Sequence, residues 1–369
     1  MRRRLVAREG STAPTHLHTH IHTFAASTSP ALSSPAMELV QRQCNAKQHG
    51  ATPSTVTRAT AMPLGCAEDT TVPTFMSLCF PYATQTAFHV VINCAAISQP
   101  GLCESSPDVA RAVNVPIHLV NCILRQEQSN GTRAALIHFS TDQVYDGSHA
   151  MWREDEPCSP VNTYGKTKLE AEQHILSRLP ASFPVAILRS SIIYGPPPPD
   201  PVSRALFLQF VASAVRGGAL TTFFDDEWRS PVYIRDLERL VSRLIEANAA
   251  LETRKPTTSD AAGVTAAPTD GVPGSENALF RVAWRQRVFN TGGPERLSRV
   301  DMARQVADAL NCDYSAILPA STASVNRGVA SPADISMDVS RLTEELGFHT
   351  TPFNEALREI FPPQPVSAT

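Results

Sequence analysis

Lysine is scarce in this chain: Lys47, Lys166, Lys168 and Lys255 are the only four in 369 residues, although Lys and Arg together number 32. Arginine carries almost every cationic task, so the close pair at 166 and 168 calls for a specific reason. Glycine is also thin at the front. Before position 101 only Gly10, Gly50 and Gly65 occur, each isolated and none behind a Val/Ile/Leu-rich run. That excludes from this region the usual strand, glycine turn and helix N-terminus that cradle phosphates. No apolar run approaches the ~18–20 residues of a membrane span, and a soluble, cytoplasmic protein is expected. Eight cysteines (44, 66, 79, 94, 103, 122, 158 and 312) form no Cys-x-x-Cys pair and no metal spacing. They read as reduced intracellular thiols, with Cys94 and Cys122, in apolar runs, expected in the core. A net charge of -3 and a pI near 6.4 give no reason to invoke nucleic acid or an anionic membrane.

What is present is concentrated between Ala134 and Leu179. Ala134 to Ser140 is a short apolar run without Gly or Pro. It reads as a buried parallel strand that delivers Ser140 and Thr141 at its C-terminal end, the edge where open α/β sheets bind ligands. A loop punctuated by Gly, Asp and Pro runs through Pro160. From Asn162 or Thr163 to about Leu179 the spacing predicts a helix, with Gly165, Leu169, Ala171, Ile175, Leu176 and Leu179 on one apolar stripe. Tyr164 and Lys168 fall inside that stripe. Either Lys168 pairs with Glu172 one turn on, or Tyr164 and Lys168 face a cleft together. In the second case the ammonium lowers the phenol's pKa so that Tyr164 exchanges a proton with a carbonyl or alcohol near neutral pH, Thr141 bonding the same oxygen.

STDQVYDG and NTYGKTKLEAE resemble the extended short-chain dehydrogenase/reductases, specifically the dTDP-4-dehydrorhamnose reductase group, which also includes the regulatory beta subunit of methionine adenosyltransferase. The resemblance runs from about Phe88 to Phe361. It implies an α/β, doubly wound parallel sheet of NAD(P)-binding Rossmann type over 87–361, with a smaller C-terminal substrate lobe mainly in 197–235 and 290–361. The catalytic set it implies is Thr141, Tyr164 and Lys168. NADPH or NADH would lie along Asn93, Ala95, Ala96, Asn114, Ser140, Lys168, Ser190, Ile192 and Tyr194, with Gly195 beside them. A nucleotide-sugar would meet Asp142, Gln143 and Arg229. The implied reaction is reduction of a keto group on a nucleotide-linked deoxysugar: hydride from the nicotinamide, a proton from Tyr164, the carbonyl polarised by Thr141, and the cofactor ribose held by Lys168. The alternatives are a non-catalytic regulatory subunit binding a methionine adenosyltransferase catalytic subunit, or an inactive fragment lacking the cofactor loop; the partner expected is that catalytic subunit or a second copy in a homo-oligomer.

Elsewhere the chain supplies scaffold. Residues 1–86 read as low-complexity or as a mispredicted start. The Arg, Ser and Thr bias before position 68, with Glu9 and Glu38 the only acids there, resembles an organellar transit peptide, and the alternating His16, His18, His20 and His22 read as compositional noise rather than a metal site. Phe88 to Cys94 is a strand followed by small residues. Pro107 to Gln126 is a helix kinked at Pro116, with Val109, Val113, Ile117, Val120 and Ile123 at helical spacing. Phe183 to Ser190 is a buried strand, prolines 196 to 199 a stiff connection, Ser203 to Arg216 a helix and Ala219 to Phe224 a strand. Arg229 stands just before a short strand, where the resemblance to nucleotide-sugar enzymes implies a ligand of the substrate's diphosphate; the alternative is a surface ion pair with Asp225, Asp226 or Glu227. Residues 251–283 read as a flexible insertion and 362–369 as a tail. From Arg287 a strand, a turn and a helix capped by Ser298 with Asp301 follow. In SPADISMDVSRLTEELGF the resembling proteins usually carry an arginine before the proline, and here Ser331 stands in that place.

The absent glycine loop matters to the fold as well. The first strand of such a sheet lies in its middle, and without it neighbouring edges stay open. A mistaken gene start, an N-terminal strand of unusual sequence, or a partner completing the sheet each accounts for this.

Overall fold

The computed structural model describes residues 88–198, 206–252 and 287–362. The Arg-rich start, the alternating histidines, Cys44, Cys66, Cys79 and nearly all of the expected insertion lie outside the described residues.

The elements follow in chain order. Strand β1 (Val90–Asn93) leads into three helices, α1 (Pro100–Ser105), α2 (Pro107–Asn114) and α3 (Ile117–Asn130). Next come β2 (Ala135–Thr141), a 3₁₀ turn at Asp142–Val144, α4 (Thr163–Arg178), β3 (Val185–Ser190) and β4 (Ile193–Tyr194). Then α5 (Phe207–Gly217), β5 (Thr221–Phe224), β6 (Trp228–Arg229), β7 (Val232–Tyr233) and α6 (Ile234–Glu252) precede β8 (Arg287–Thr291). The chain closes through β9 (Leu297–Ser298), α7 (Arg299–Ala309), β10 (Ile317–Ala320), α8 (Ser340–Leu346) and α9 (Phe353–Ile360).

Strands β1, β2, β3 and β8 form one parallel sheet in that order. Side chains alternate between its faces. Leu136, Val185 and Ile187 pack with Val120 and Ile123 of α3 and Ile175 of α4. Ala135, Ile137, Ala186, Leu188 and Phe289 pack on the other face with Leu240 and Leu244 of α6 and Leu342 and Leu346 of α8. Helices therefore cover both faces, as a doubly wound sheet requires. A second core joins α5, α7 and α9, with Leu208, Val211, Val306 and Phe353 fully buried. Among the described residues β1 is an edge strand, and Val90, Val91 and Ile92 are only half-buried.

Three expectations change in detail. The helix over Pro107–Gln126 is two helices, not one kinked helix. Pro116 has no N–H for the preceding turn and pushes Val115 into extended backbone (φ -91°, ψ 112°), so α2 ends and α3 restarts. Val109 and Ile117 consequently sit exposed instead of on a buried stripe. Helix α1, which opens on Pro100, was not anticipated. Cys94 and Cys122 are half-buried, and among the described residues Cys103 is the fully buried thiol. The capping box of Ser298 and Asp301 forms as expected. Among the described residues no helix is long and apolar enough to cross a membrane.

Candidate active site

The sheet register aligns Thr141 with Ser190 and Ser190 with Thr291, so three hydroxyls share its C-terminal edge. Helix α4 is brought against this edge by its own N-terminus. Asn162 caps it by accepting from the Gly165 N–H at 2.9 Å, and holds the Gln143 side chain at 2.9 Å with its amide nitrogen. Gly165 has to be glycine. A Cβ there would lie 2.1 Å from the Gln143 carbonyl oxygen, which only a bare Cα accommodates. That close approach places Tyr164 with Thr141 in the lining of a cavity of about 390 Å³.

Thr141, Asp142, Gln143 and Tyr164 line one side of this cavity, with Ser191 and Ile192 from the segment after β3. The Thr141 hydroxyl donates to Asp142 Oδ1 at 3.1 Å, and Ser191 donates to Asp142 Oδ2 at 2.7 Å. Burial raises the Asp142 carboxyl above its ordinary range, while Arg229, the two hydroxyls and Arg299 pull the other way. Burial also raises the Tyr164 phenol, with Thr141 opposing and Asp142 reinforcing. This corrects the expectation of a depressed Tyr164. The Lys168 ammonium is not directed at the phenol in this structure. Its Nζ donates to the Phe139 carbonyl at 2.5 Å and lies 3.2 Å from His138 Nε2. Burial brings Lys168 itself down to about 8. The ordinary Lys168–Glu172 contact is also absent, because Glu172 is taken by Arg189 at 2.7 Å and by the Ser140 hydroxyl.

The remaining expected cofactor residues divide by position. Asn93, at the end of β1, faces His138 Nδ1 at 3.0 Å, and Ala95 and Ala96 follow it with little bulk. Asn114 is wholly buried and bonded to Ile97 and to Thr167 Oγ1, so it braces α2 against α4. Ser190 is paired with Thr291 Oγ1 at 2.8 Å. Ile192 reaches the cavity wall, whereas the Tyr194 ring turns into the second core between Tyr233 and Phe353.

Arg229, Arg299 and Arg327 line the same cavity. Arg229 is buried, so it is no surface ion-pair partner. Its guanidinium donates to the carbonyls of Trp228, Pro332 and Ala333 at 2.7, 3.0 and 3.2 Å, with Glu227 3.8 Å away. Glu227 is the counter-ion of the group. It accepts from Arg327 at 2.6 Å and from Ser331 at 2.5 Å, with Arg299 at 3.7 Å. Burial works against its charge, yet these partners hold its carboxyl below the usual range. Asp226 instead caps the turn at Thr322, accepting from its N–H at 2.9 Å. Sequence reasoning missed Ser191, Glu227 as the central anion, Arg299 and Arg327. The one available signal was Ser331 standing where an arginine is expected, with Arg327 four residues upstream.

Three carboxylate-facing guanidiniums sharing a cavity with a Thr/Tyr pair, at the C-terminal edge of a parallel sheet, suit an anionic ligand bearing a carbonyl or hydroxyl. The family model of the RmlD substrate binding domain matches residues 41–259, more than half of the chain. Methionine adenosyltransferase 2 subunit beta of Danio rerio is 26% identical over 273 residues, which cover 73% of this chain and 71% of that one. The fold is shared with a dTDP-4-dehydrorhamnose reductase from Clostridium acetobutylicum (TM-score 0.58, 20% identity, 76% of this chain and 82% of that one). It is shared equally with a dTDP-4-dehydrorhamnose reductase from Bacillus anthracis in complex with NADP (TM-score 0.58, 21% identity, 79% and 86%). The chain belongs to the RmlD substrate binding domain family.

Proposed function

We propose that this protein reduces a keto group on a nucleotide-linked deoxysugar with NADPH or NADH. The observation that carries the reading is a cavity whose lining includes Thr141 and Tyr164 together with Arg229, Arg299 and Arg327. A proton donor and a group of guanidiniums in one cavity suit a carbonyl attached to a diphosphate. The nicotinamide end of a dinucleotide suits the residues here: Ala95 and Ala96 leave room beside β1, and Ile192 and Ser191 form a wall at the edge. Bound there, the nicotinamide supplies hydride. Thr141 has its hydroxyl proton on Asp142 and turns it to the carbonyl oxygen, and Tyr164, kept protonated by burial, gives its proton to the forming alkoxide. The guanidiniums hold the diphosphate and keep the sugar in reach.

NADPH oxidation is measured with a dTDP-4-keto-6-deoxysugar for the wild type and Tyr164→Phe. Loss of the phenol proton is expected to lower the rate on the order of 10²–10⁴-fold. Equal rates in the two proteins would sink the catalytic assignment.

The subunit-beta relatives favour a second reading, a regulatory protein that binds a methionine adenosyltransferase catalytic subunit. Co-purification with such a subunit, undiminished by Tyr164→Phe, is its test.

A further inference from the structure

The groups behind Lys168 hold a hydrogen-bond order that the proposed reaction does not use. Asn93 is oriented by the backbone: the Ala95 N–H donates to Asn93 Oδ1 at 3.1 Å, which leaves Nδ2 facing His138 Nδ1 at 3.0 Å. An amide nitrogen offers only hydrogens, so Nδ1 accepts. His138 is wholly buried on β2, and burial above all holds its pKa well below the ordinary value. It is therefore neutral and carries one proton. With Nδ1 accepting, that proton is on Nε2, which faces Lys168 Nζ at 3.2 Å. An ammonium in that position sets hydrogen against hydrogen. A free amine has a lone pair to receive the Nε2–H and still donates to the Phe139 carbonyl at 2.5 Å.

We propose that His138 is a positioning residue for Lys168: pinned by Asn93 as an Nε2–H donor, it favours the uncharged amine of the lysine over its ammonium, so that Lys168 gives up its proton more readily in the ligand-free protein. The surrounding charges agree. Glu172, one turn along α4, is engaged by Arg189 of β3 and Ser140 of β2. The Cys94 thiol after β1 is pushed up to about 11 by burial, and the Tyr164 phenol is raised by burial as well, so neither is an anion near neutrality. Burial of Lys168 points the same way, bringing it to about 8 despite Glu172 and Cys94. On the reductase reading, His138 then sets the pH at which the lysine becomes the charged group that a ribose hydroxyl meets.

The four lysines of the chain make the test direct. The full-length protein labelled at lysine ¹³Cε is titrated by NMR, the Lys168 signal being assigned by its loss in Lys168→Met. Lys168 is expected to titrate near 8, and the other lysines near ~10.4. His138→Gln, whose amide oxygen accepts from an ammonium, is expected to raise the Lys168 midpoint by about one unit or more. A Lys168 that titrates with the other lysines, or that ignores His138→Gln, overturns the proposal. Imidazole ¹⁵N shifts of the wild type give a readout that needs no variant: a protonated Nε2 supports it, a protonated Nδ1 overturns it. Neither measurement requires turnover, so a failed reductase assay leaves this result standing.

Discussion

Tyr164 is acted on in opposite senses: burial and the Asp142 carboxylate favour the phenol, while the Thr141 hydroxyl favours the phenolate. Burial prevails, which makes the group a proton donor at rest and suits reduction better than alcohol oxidation. The deeper charges around it are paired. Arg189 and Glu172 meet at 2.7 Å with almost no exposure, and Arg189 also reaches the Tyr145 hydroxyl at 3.0 Å. Removing one member strands the other. Arg189→Met is expected to cost about 3–5 kcal/mol in urea unfolding, and pairing it with Glu172→Leu is expected to restore much of that. A single-variant loss below about 1 kcal/mol, the size of an exposed pair, would contradict this account.

At the scale of elements, the site depends on how closely α4 rides over the Asp142–Val144 turn. Gly165 is the contact point, 2.1 Å from the Gln143 carbonyl measured from an added Cβ. Gly165→Ala raises helix propensity and in an isolated helix is worth up to about 1 kcal/mol in favour. Here overpacking is expected to outweigh that gain, for a net loss of about 1–3 kcal/mol. Tyr164 moves off Thr141 at the same time, so turnover of the keto-sugar falls with stability. An alanine variant of wild-type stability and rate would show that the turn yields. Helix propensity alone ranks Gly165 as a weak position in α4, and the Gln143 carbonyl in the turn after β2 reverses that ranking.

At the scale of the whole molecule, the cavity is closed by distant segments: β2, α4, β6, the start of α7 and residues 327–331. Glu227 is the tie among Arg229, Arg299, Arg327 and Ser331. Its folded pKa lies below the unfolded value of about 4.3, so its contribution is full above that pH and is lost as pH falls through the lower, folded value. Asp142 and Glu154, both raised by burial, act oppositely and penalise the folded state at higher pH. Comparing wild type with Glu227→Gln isolates the first effect. The stability difference between them is expected to be greatest above pH ~5 and to shrink in acid. A difference independent of pH between 2 and 6 would mean that Glu227 has no net electrostatic role.

Periodicity and residue type determined much of this by themselves. The short apolar run of Ala134 to Ser140 sets a strand buried on both faces, and the Asn162 cap, the apolar stripe and Pro180 set α4, because these are local preferences of backbone and side chain. Tyr164 and Lys168 were legible as a pair, four residues apart on one helix face. Only the tertiary structure decided where their polar atoms go. Lys168 turns to the Phe139 carbonyl and His138, thirty residues back, because β2 passes beneath α4. Tyr194 turns into the second core although it closes the segment expected to line the cofactor, because β4 pairs with β7 and not with the main sheet. Arg299 and Arg327 join Arg229 around Glu227 across about a hundred residues of chain. Sequence spacing carries no information about such contacts; chain crossings and burial set them.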